Sequence, residues 1–375
     1  MNTMVVSHFS GMSGLAEKIA DFLANRYKKP LFIRTPLVSV QKECLIDTSG
    51  GERLTFRIPR LVQYPLEWVI LGGKIKKLIR DGRVDDQIDI AIGMDPLAMF
   101  TIFRLKRILN IKKIIFFNSD YAEKRFANPL LNAIYHYMDY KAFRDCDTYW
   151  CASKKIIDIR KKSFPSLKSK IVYTPHGVSL RKARHYDKRS SNSLVFVGCL
   201  SESTEWDFVF EAVGRLVGAF PDICLHIYGD GEMLPELKSN AAARNLESNI
   251  RFYGNTSNEE ILNTIGKYQI AIAPYRLAKD RDGCWWHFGS GFTSKIVEYL
   301  ACGLPVITSS LLPGFIELEK NRAGYVIDNS AENLFEKISL LFKTRKLLND
   351  YQKNALNLSK RYDSDKIYGK YISYI

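Results

Sequence analysis

Apolar runs alternate with longer amphipathic segments from the start of the chain. The run NTMVVSHFS predicts a buried strand, and LAEKIADFLANRY predicts a helix whose Ile19, Phe22 and Leu23 share one face. Similar runs recur with segments of helical length between them: PLFIRTP, IDIAIGM, KIIFFNS, TYWCAS and KIVYTPHG. This alternation favours a parallel sheet with helices on both faces, the doubly wound α/β arrangement.

The pattern pauses once and then restarts. Residues 179–193 are polar, basic and without apolar periodicity, and the strand-like runs LVFVGCL, ICLHIYGDGE, IRFYGN and IAIAPYR follow them. A chain of 375 residues is also longer than one ordinary core requires. We expect two Rossmann-like domains facing across a cleft, over residues 1–180 and 181–355, with 179–193 as the linker about which they close. A C-terminal helix over 356–375 is expected to pack back on the first domain.

The seven cysteines are scattered and form no CxxC pair. This spacing favours reduced thiols over a disulfide framework or a metal site. The first residues lack the basic and apolar regions of a signal peptide, and no apolar run reaches 18 residues. We therefore expect a cytoplasmic protein that does not span a membrane.

The net charge of +15 is concentrated in the first half of the chain. Residues 1–190 contain 35 Lys and Arg against 18 Asp and Glu, and the remainder contains 20 against 22. A basic half joined to a nearly neutral half indicates that the two halves bind different partners, the first of them anionic.

Cations and apolar side chains are mixed over residues 55–83, and a second basic run lies at 103–113. Such a mixture is typical of a segment that lies on an anionic membrane, where we expect the peripheral attachment. Solvated helix faces and a nucleic-acid surface are the alternatives, although the sequence carries no helix-turn-helix, zinc spacing or aromatic RNA-binding motif. The residues predicted for the membrane or acceptor surface are Arg57, Arg60, Trp68, Lys74, Lys76, Lys77, Arg104, Lys106 and Arg107.

The stretch HFGSGFTSKIVEYLACGLPVITSS, residues 287–310, carries the clearest chemistry. Its glycines precede a predicted helix, so the backbone there can approach a phosphate closely. Lys295 falls in the first turn, and Glu298 lies one turn further on the same face, where its carboxylate can accept hydrogen bonds from ribose hydroxyls. The alternative is an ordinary solvent-facing ion pair between the two side chains.

Together with YGDG, RFYGN and IAIAPYR, this stretch resembles the donor domain of GT-B glycosyltransferases over most of residues 190–330. The resemblance implies that Lys295 contacts the diphosphate of a nucleotide sugar and that Glu298 contacts its ribose. For Tyr275, a position in the wall of the core is an equal alternative. The other positions implied at the donor are Thr293 and Ser294 beside the phosphates, Arg251 at the base edge, Tyr275 at the nucleotide and Leu200 in the turn beneath the sugar diphosphate.

A general base is expected in the first domain. Asp120 ends the apolar run KIIFFNSD, and the carboxyl ends of strands are where α/β sites gather, although a helix cap would explain it equally well. The runs around it are similar to the inverting, membrane-associated glucuronosyltransferases of the bacterial xanthan pathway, which implies that the pair at 119–120 supplies the base. His8 is the second catalytic candidate. Asp95 is expected to orient the acceptor or, more simply, to cap a helix.

Two further features bear on the reaction. In the retaining GT-B family with a Glu-x7-Glu motif, the first glutamate matches Ser290 here, which argues against that mechanism. The loop before the phosphate-binding helix is expected to contact the donor sugar through Trp285, Trp286 and His287, while a surface loop with buried tryptophans would look the same.

The sequence thus predicts a peripheral enzyme on the inner face of the cytoplasmic membrane. It is expected to be an inverting GT-B glycosyltransferase of surface-polysaccharide synthesis that uses a UDP-sugar, with UDP-glucuronate as one candidate, and a lipid-linked acceptor. Since no Asp-x-Asp site is evident, no metal or other cofactor is expected to be obligatory. A retaining hexosyltransferase using GDP- or UDP-hexose, a nucleotide-sugar epimerase and a nucleic-acid-binding protein stay open as alternatives.

Overall fold

The chain divides into two compact units, each built around one sheet. The computed structural model describes residues 1–9, 14–36, 43–58, 63–119, 121–276, 293–309 and 313–372. Of these, the first unit contains those up to Thr174 together with 368–372, and the second contains those from Pro175 to Ile367.

The first unit has an eight-stranded sheet in the described part of the chain, in the order β4-β3-β2-β1-β5-β6-β7-β8. Its strands pair in parallel from β2 to β8 in this order, while β2–β3 and β3–β4 at one edge pair antiparallel; sequence analysis missed the hairpin β3–β4. Gly51, with φ of +86°, allows the tight turn of that hairpin. The strands are Thr3–Phe9 (β1), Leu31–Pro36 (β2), Cys44–Asp47 (β3), Arg53–Phe56 (β4), Gln87–Gly93 (β5), Asn110–Asn118 (β6), Thr148–Cys151 (β7) and Ile171–Tyr173 (β8).

Helices connect the strands of the first unit, and several of them begin at side-chain caps. The side chains of Asp95, Asn128 and Ser153 each accept a hydrogen bond from a backbone N–H in the first turn of the next helix. The helices are Leu15–Arg26 (α1), Gln63–Arg80 (α2), Pro96–Leu105 (α3), Pro129–Asp145 (α4) and Lys154–Ser163 (α5).

Over its described residues, the second unit has a six-stranded, all-parallel sheet in the order β11-β10-β9-β12-β13-β14. Chain order reverses between β9 and β12, which makes their carboxyl ends the topological switch point where α/β proteins bind ligands. The strands are Ser193–Val197 (β9), Cys224–Tyr228 (β10), Ile250–Phe252 (β11), Ile270–Ala273 (β12), Val306–Ser309 (β13) and Gly324–Ile327 (β14).

Amphipathic helices cover the second sheet, as their apolar spacing predicts. Their buried residues, such as Phe210, Val213 and Leu216 on α6, form one cluster with the strands. The helices are Trp206–Ala219 (α6), Leu234–Ala243 (α7), Asn258–Thr264 (α8), Ser294–Ala301 (α9), Ile316–Lys320 (α10), Ala331–Lys343 (α11) and Arg345–Ser359 (α12). The last helix, Ser364–Ile372 (α13), is divided between the two units after Ile367.

The last helix returns the chain to the first unit. Tyr368 is fully buried there, with ring centroids 5.5 Å from Phe22 and 6.2 Å from both Phe117 and Trp150. Buried aromatic contacts of this kind fix the end of the chain against the sheet.

The predicted linker is hydrogen-bonded to the second unit. The boundary between the units falls after Thr174, before the basic stretch 179–193. Within that stretch, the Arg189 guanidinium donates hydrogen bonds to the carbonyls of Tyr268 at 2.9 Å and Cys302 at 3.3 Å. Arg189 therefore holds this part of the stretch to the second unit.

Candidate active site

Loops at the carboxyl ends of β9, β10 and β11 are joined by backbone hydrogen bonds. Gly198 N–H donates to Tyr228 O at 3.0 Å, and Gly229 N–H donates to Gly254 O at 2.7 Å. A side chain on Gly229 would collide with the Gly198 carbonyl, which is why glycine occupies this position. Leu200 lies in the same set of loops, but the residue is completely buried, and its N–H donates to Asp230 O at 3.0 Å while its carbonyl accepts from Met233 N–H at 3.1 Å.

The helix α9 begins at the point where the sequence predicts phosphate contacts. Thr293 is its N-cap, and its Oγ1 accepts a hydrogen bond from Ile296 N–H at 3.4 Å; Ser294 is the first helical residue. The free N–H groups and the dipole of this first turn favour an anion.

Glu298 is completely buried one turn into α9. Its Oε2 lies 3.3 Å from Lys295 Nζ, and its Oε1 accepts a hydrogen bond from Asn258 Nδ2 at 2.7 Å. The ion pair that we considered as an alternative is therefore present, but Glu298 does not face solvent, while Lys295 is 28% exposed. A buried carboxylate needs such partners because its desolvation is costly.

Asn258 was not identified from the sequence. It is the first residue of α8, and Ser257 caps that helix by accepting a hydrogen bond from Glu260 N–H at 3.2 Å. The run SNEE predicts a helix start, yet nothing in it indicates a partner 40 residues further along the chain.

Tyr275 follows β12 and contacts the cap of α9. Its Oη lies 3.1 Å from Thr293 Oγ1, and its ring stacks on Phe315 with centroids 6.2 Å apart. Burial raises the pKa of Tyr275 to about 12, so the phenol keeps its proton at neutral pH. The ring of Tyr275 thus packs in the wall and its hydroxyl reaches the start of the helix, while a contact with the nucleotide stays a prediction.

Arg251 is an exposed residue of β11, beside a stack of aromatic rings. Tyr253 lies parallel to Tyr228 with centroids 4.4 Å apart and shares a 2.9 Å hydrogen bond with His226 Nδ1. Burial, with Arg251 and Lys267 nearby, lowers the pKa of His226 to about 4, so this ring is neutral.

In the first unit, His8 lies between two carboxylates. Its Nδ1 is 3.0 Å from Asp95 Oδ1, its Nε2 is 2.9 Å from Glu67 Oε1, and its side chain is 2% exposed. Burial alone would lower the pKa of His8, but the two carboxylates outweigh it and raise the pKa to about 10. As an imidazolium, His8 has no lone pair for a proton, and this geometry argues against our prediction of His8 as a catalytic base.

The neighbours of His8 are partly foreseen by the sequence. Asp95 caps α3 by accepting from Ala98 N–H at 2.8 Å, and it also accepts from the backbone and ring of His8. Glu67 was missed, although a single glutamate in the apolar run PLEWVIL is an indication of a buried, paired charge. It also accepts a hydrogen bond from Thr101 Oγ1 at 3.0 Å.

Several predicted site residues lie outside the described part of the chain. These are Asp120, the favoured base, the three donor-sugar residues Trp285, Trp286 and His287, and Arg60 of the basic surface. Their roles stay predictions.

Of the side chains predicted for the membrane or acceptor surface, some contact neighbouring residues and others reach solvent. Trp68 lies beneath Arg104, with Cζ 5.1 Å from a ring centroid, and Lys74 lies 4.4 Å from the ring centroid of Phe56. Arg57 is exposed and lies 3.4 Å from Glu43. Side chains that reach solvent include those of Lys76, Lys77, Lys106 and Arg107.

A different apolar surface lies on α4. We call it the α4 ridge: Leu130, Leu131, Ile134 and Tyr137 are 69%, 50%, 47% and 65% exposed, and Phe126 just before the helix is 39% exposed. Their spacing puts them along one side of the first two turns. None of the described helices is long and apolar enough to cross a bilayer. Among the described residues, no group of three His, Cys, Asp or Glu could hold a metal ion.

Comparison with known proteins identifies the class of the chain. Residues 181–358 match the family model described as glycosyl transferases group 1. An uncharacterized glycosyltransferase of Haemophilus influenzae is 23% identical over 296 residues, which cover 78% of each chain.

Solved structures agree on the fold. HepE from Anabaena in complex with UDP-glucose superposes with a TM-score of 0.69 at 13% identity, covering 100% of both chains. WaaG, a glycosyltransferase involved in lipopolysaccharide biosynthesis, superposes with a TM-score of 0.64 at 14% identity, covering 100% of this chain and 99% of WaaG. The predicted GT-B fold is therefore confirmed.

Proposed function

Because this chain is a glycosyltransferase of the GT-B fold whose residues 181–358 match the group 1 family model, we propose that it transfers a sugar from a UDP-sugar to a lipid-linked acceptor in surface-glycan synthesis. HepE binds UDP-glucose, which supports UDP as the carrier, and the role of WaaG in lipopolysaccharide biosynthesis supports a surface glycan as the product. UDP-glucuronate, the candidate donor from the sequence, is one member of this class of donors.

The main support for the proposed donor site is the buried carboxylate of Glu298. It is held by Lys295 on one oxygen and Asn258 on the other, one turn inside the helix whose cap contacts Tyr275. Ribose hydroxyls can donate to such a carboxylate, and the first turn of α9 suits the diphosphate. Lys295 is partly exposed, so its ammonium can leave the Glu298 carboxylate and contact a phosphate oxygen of the donor instead.

In the proposed inverting mechanism, Asp120 removes the proton from the acceptor hydroxyl as that oxygen attacks the anomeric carbon. The bond from that carbon to the diphosphate breaks, and Lys295 with the N–H groups of α9 stabilises the charge on the leaving group. His8 takes no proton in this scheme. As a buried cation it instead holds Asp95 and Glu67 in place at the end of β1.

The acceptor is proposed to be reached at an anionic membrane surface. The basic excess of the first half supports this, as do the exposed cations of α2 and of the segment after α3. The α4 ridge adds the apolar side chains that an interfacial helix buries among lipid headgroups.

Thermal unfolding with UDP, GDP, ADP and CMP tests the donor site. Ligand at 100 times its dissociation constant raises the free energy of unfolding by about 2.7 kcal/mol. We expect stabilisation by UDP that disappears in Lys295→Ala. Lys320→Ala is the matched control, because Lys320 forms an i,i+3 pair with Glu317 that is exposed on both sides. Equal stabilisation of both variants would refute the donor site.

A further inference from the structure

A buried ion pair lies near the end of β6. The side chains of Asp139 on α4 and Arg160 on α5 are 1% and 3% exposed, and Arg160 Nη2 donates a hydrogen bond to Asp139 Oδ2. Arg160 Nε also donates to Tyr149 Oη at 3.3 Å. Removing two charges from water costs about as much free energy as their attraction returns, so stability alone is a weak explanation for this pair.

The pair contacts the chain on both sides of residues 119–120. Asn118, the buried last residue of β6, donates from Nδ2 to Asp139 Oδ1 at 3.4 Å. Arg160 Cζ lies 4.6 Å from the ring centroid of Tyr121, within the range of a cation–π interaction. One ion pair therefore contacts the residues that precede and follow Ser119 and Asp120 in the chain.

We propose that Arg160 and Asp139 are positioning residues, which fix Asn118 and Tyr121, described neighbours in the chain of the proposed base. The planar guanidinium orients the Asp139 carboxylate, and that carboxylate in turn presents Oδ1 to Asn118. The inference rests on the proposed function, because it takes Asp120 as the base. A misplacement of about 1 Å can lower the rate of a reaction roughly 100-fold, so the effect is measurable.

The double variant Asp139→Leu/Arg160→Met separates positioning from folding. Replacing both members of a buried pair by apolar residues often leaves stability unchanged or raises it, whereas removing one leaves an unpaired charge. We expect UDP binding close to that of the wild type and a cooperative unfolding transition at a lower temperature, because Asn118 Nδ2 and Tyr149 Oη each lose a partner. With the nucleotide sugar that the wild type turns over fastest, kcat should fall by roughly 10- to 100-fold while KM for that donor stays unchanged.

Two further variants serve as controls. Lys141→Ala removes one partner of an exposed i,i+4 pair with Asp145 on the same helix and should leave kcat unchanged. Should the double variant fail to fold, Arg160→Lys keeps the charge but loses the planar fork. It should lower kcat without changing KM, whereas a residue that serves stability alone would leave kcat per folded molecule unchanged.

Hydrogen exchange gives a readout that does not depend on turnover. In the double variant, amides near Asn118 and Tyr121 should exchange faster, while those of the second unit keep their wild-type rates. Wild-type kcat together with wild-type exchange near Asn118 would overturn the proposal. If the wild type turns over no nucleotide sugar but the local exchange still changes, the proposed function fails and the contact to Asn118 and Tyr121 is supported.

Discussion

Asn258 donates a hydrogen bond to Glu298 across 40 residues of chain, with 2.7 Å between Nδ2 and Oε1. The accepting carboxylate is completely buried, and Lys295 approaches its other oxygen. The start of α8 and the first turns of α9 are thus joined at one carboxylate. This arrangement fixes the orientation of Glu298 before any ligand binds, which lowers the entropy that a bound ribose would have to remove.

Glu298 is expected to distinguish ribose from 2′-deoxyribose. A hydrogen bond to a charged group contributes about 1.5–3 kcal/mol, so the wild type should bind UDP at least roughly 10-fold more tightly than 2′-deoxy-UDP. In Glu298→Ala this ratio should approach one, as measured by isothermal titration calorimetry. Glu317→Ala removes an exposed carboxylate of the same unit and should keep the ratio. An unchanged ratio in Glu298→Ala would show that this carboxylate does not contact the 2′-hydroxyl.

The sequence was sufficient for the features that local pattern determines. The alternating apolar runs predicted the parallel sheets, and the Gly-rich run before α9 led to Lys295 and Glu298. Asn258, Glu67 and Asp139 could not be paired with their partners, because hydrogen bonds between distant segments depend on the packed fold and leave no periodicity. The same limit explains why Trp68 was predicted on a membrane surface, whereas its ring lies beneath Arg104.

His8 should make stability depend on pH. Its pKa is raised from 6.5 to about 10 in the folded state, so its stabilisation is complete below pH 6.5 and is lost as the pH rises towards 10. Each unit of difference between the folded-state and unfolded-state pKa corresponds to about 1.4 kcal/mol of unfolding free energy. The unfolding free energy of the wild type relative to His8→Gln, measured in urea, should therefore fall between pH 6 and pH 9.

His226 provides a control of opposite sign for that experiment. Its pKa is lowered to about 4, so unfolding takes up a proton between pH 6.5 and pH 4 and the wild type loses stability as the pH falls through this range. The difference between the wild type and His226→Gln should consequently grow with pH there. A His8 difference that rises with pH, as the His226 difference does, would be inconsistent with an imidazolium between two carboxylates.

Substitution of Gly229 by alanine should be more destabilising than the same substitution of a helical glycine. Its φ is +148°, and an alanine Cβ would collide with the Gly198 carbonyl. We expect Gly229→Ala to lower the free energy of unfolding by about 1–3 kcal/mol and to weaken UDP binding, since the affected loops follow β9 and β10. Gly218→Ala in α6, where a Cβ meets nothing within 4 Å, should instead stabilise by up to about 1 kcal/mol. Urea unfolding of both variants decides between these expectations.

Replacement of the proposed base should separate chemistry from binding. Asp120→Asn is expected to lower kcat by roughly 10²- to 10⁴-fold, because proton transfer is lost, while the UDP dissociation constant stays unchanged. Proton NMR of the product reports whether the anomeric configuration is inverted. Retention of configuration, or near wild-type kcat in the variant, would favour the retaining alternative.

The α4 ridge should bind anionic vesicles. Burying a leucine or isoleucine contributes about 1.5–3 kcal/mol, so Leu130→Gln/Ile134→Gln should lower partition onto phosphatidylglycerol-containing vesicles by at least roughly 10-fold in a sedimentation assay. Added salt should weaken the wild-type binding, because salt screens the exposed cations of the first unit from the lipid headgroups. Leu340→Gln changes an equally apolar residue, 43% exposed in the second unit, and should leave partition unchanged. If the double variant sediments like the wild type while gel filtration shows that a wild-type dimer has become a monomer, the α4 ridge binds a second copy of the chain rather than lipid.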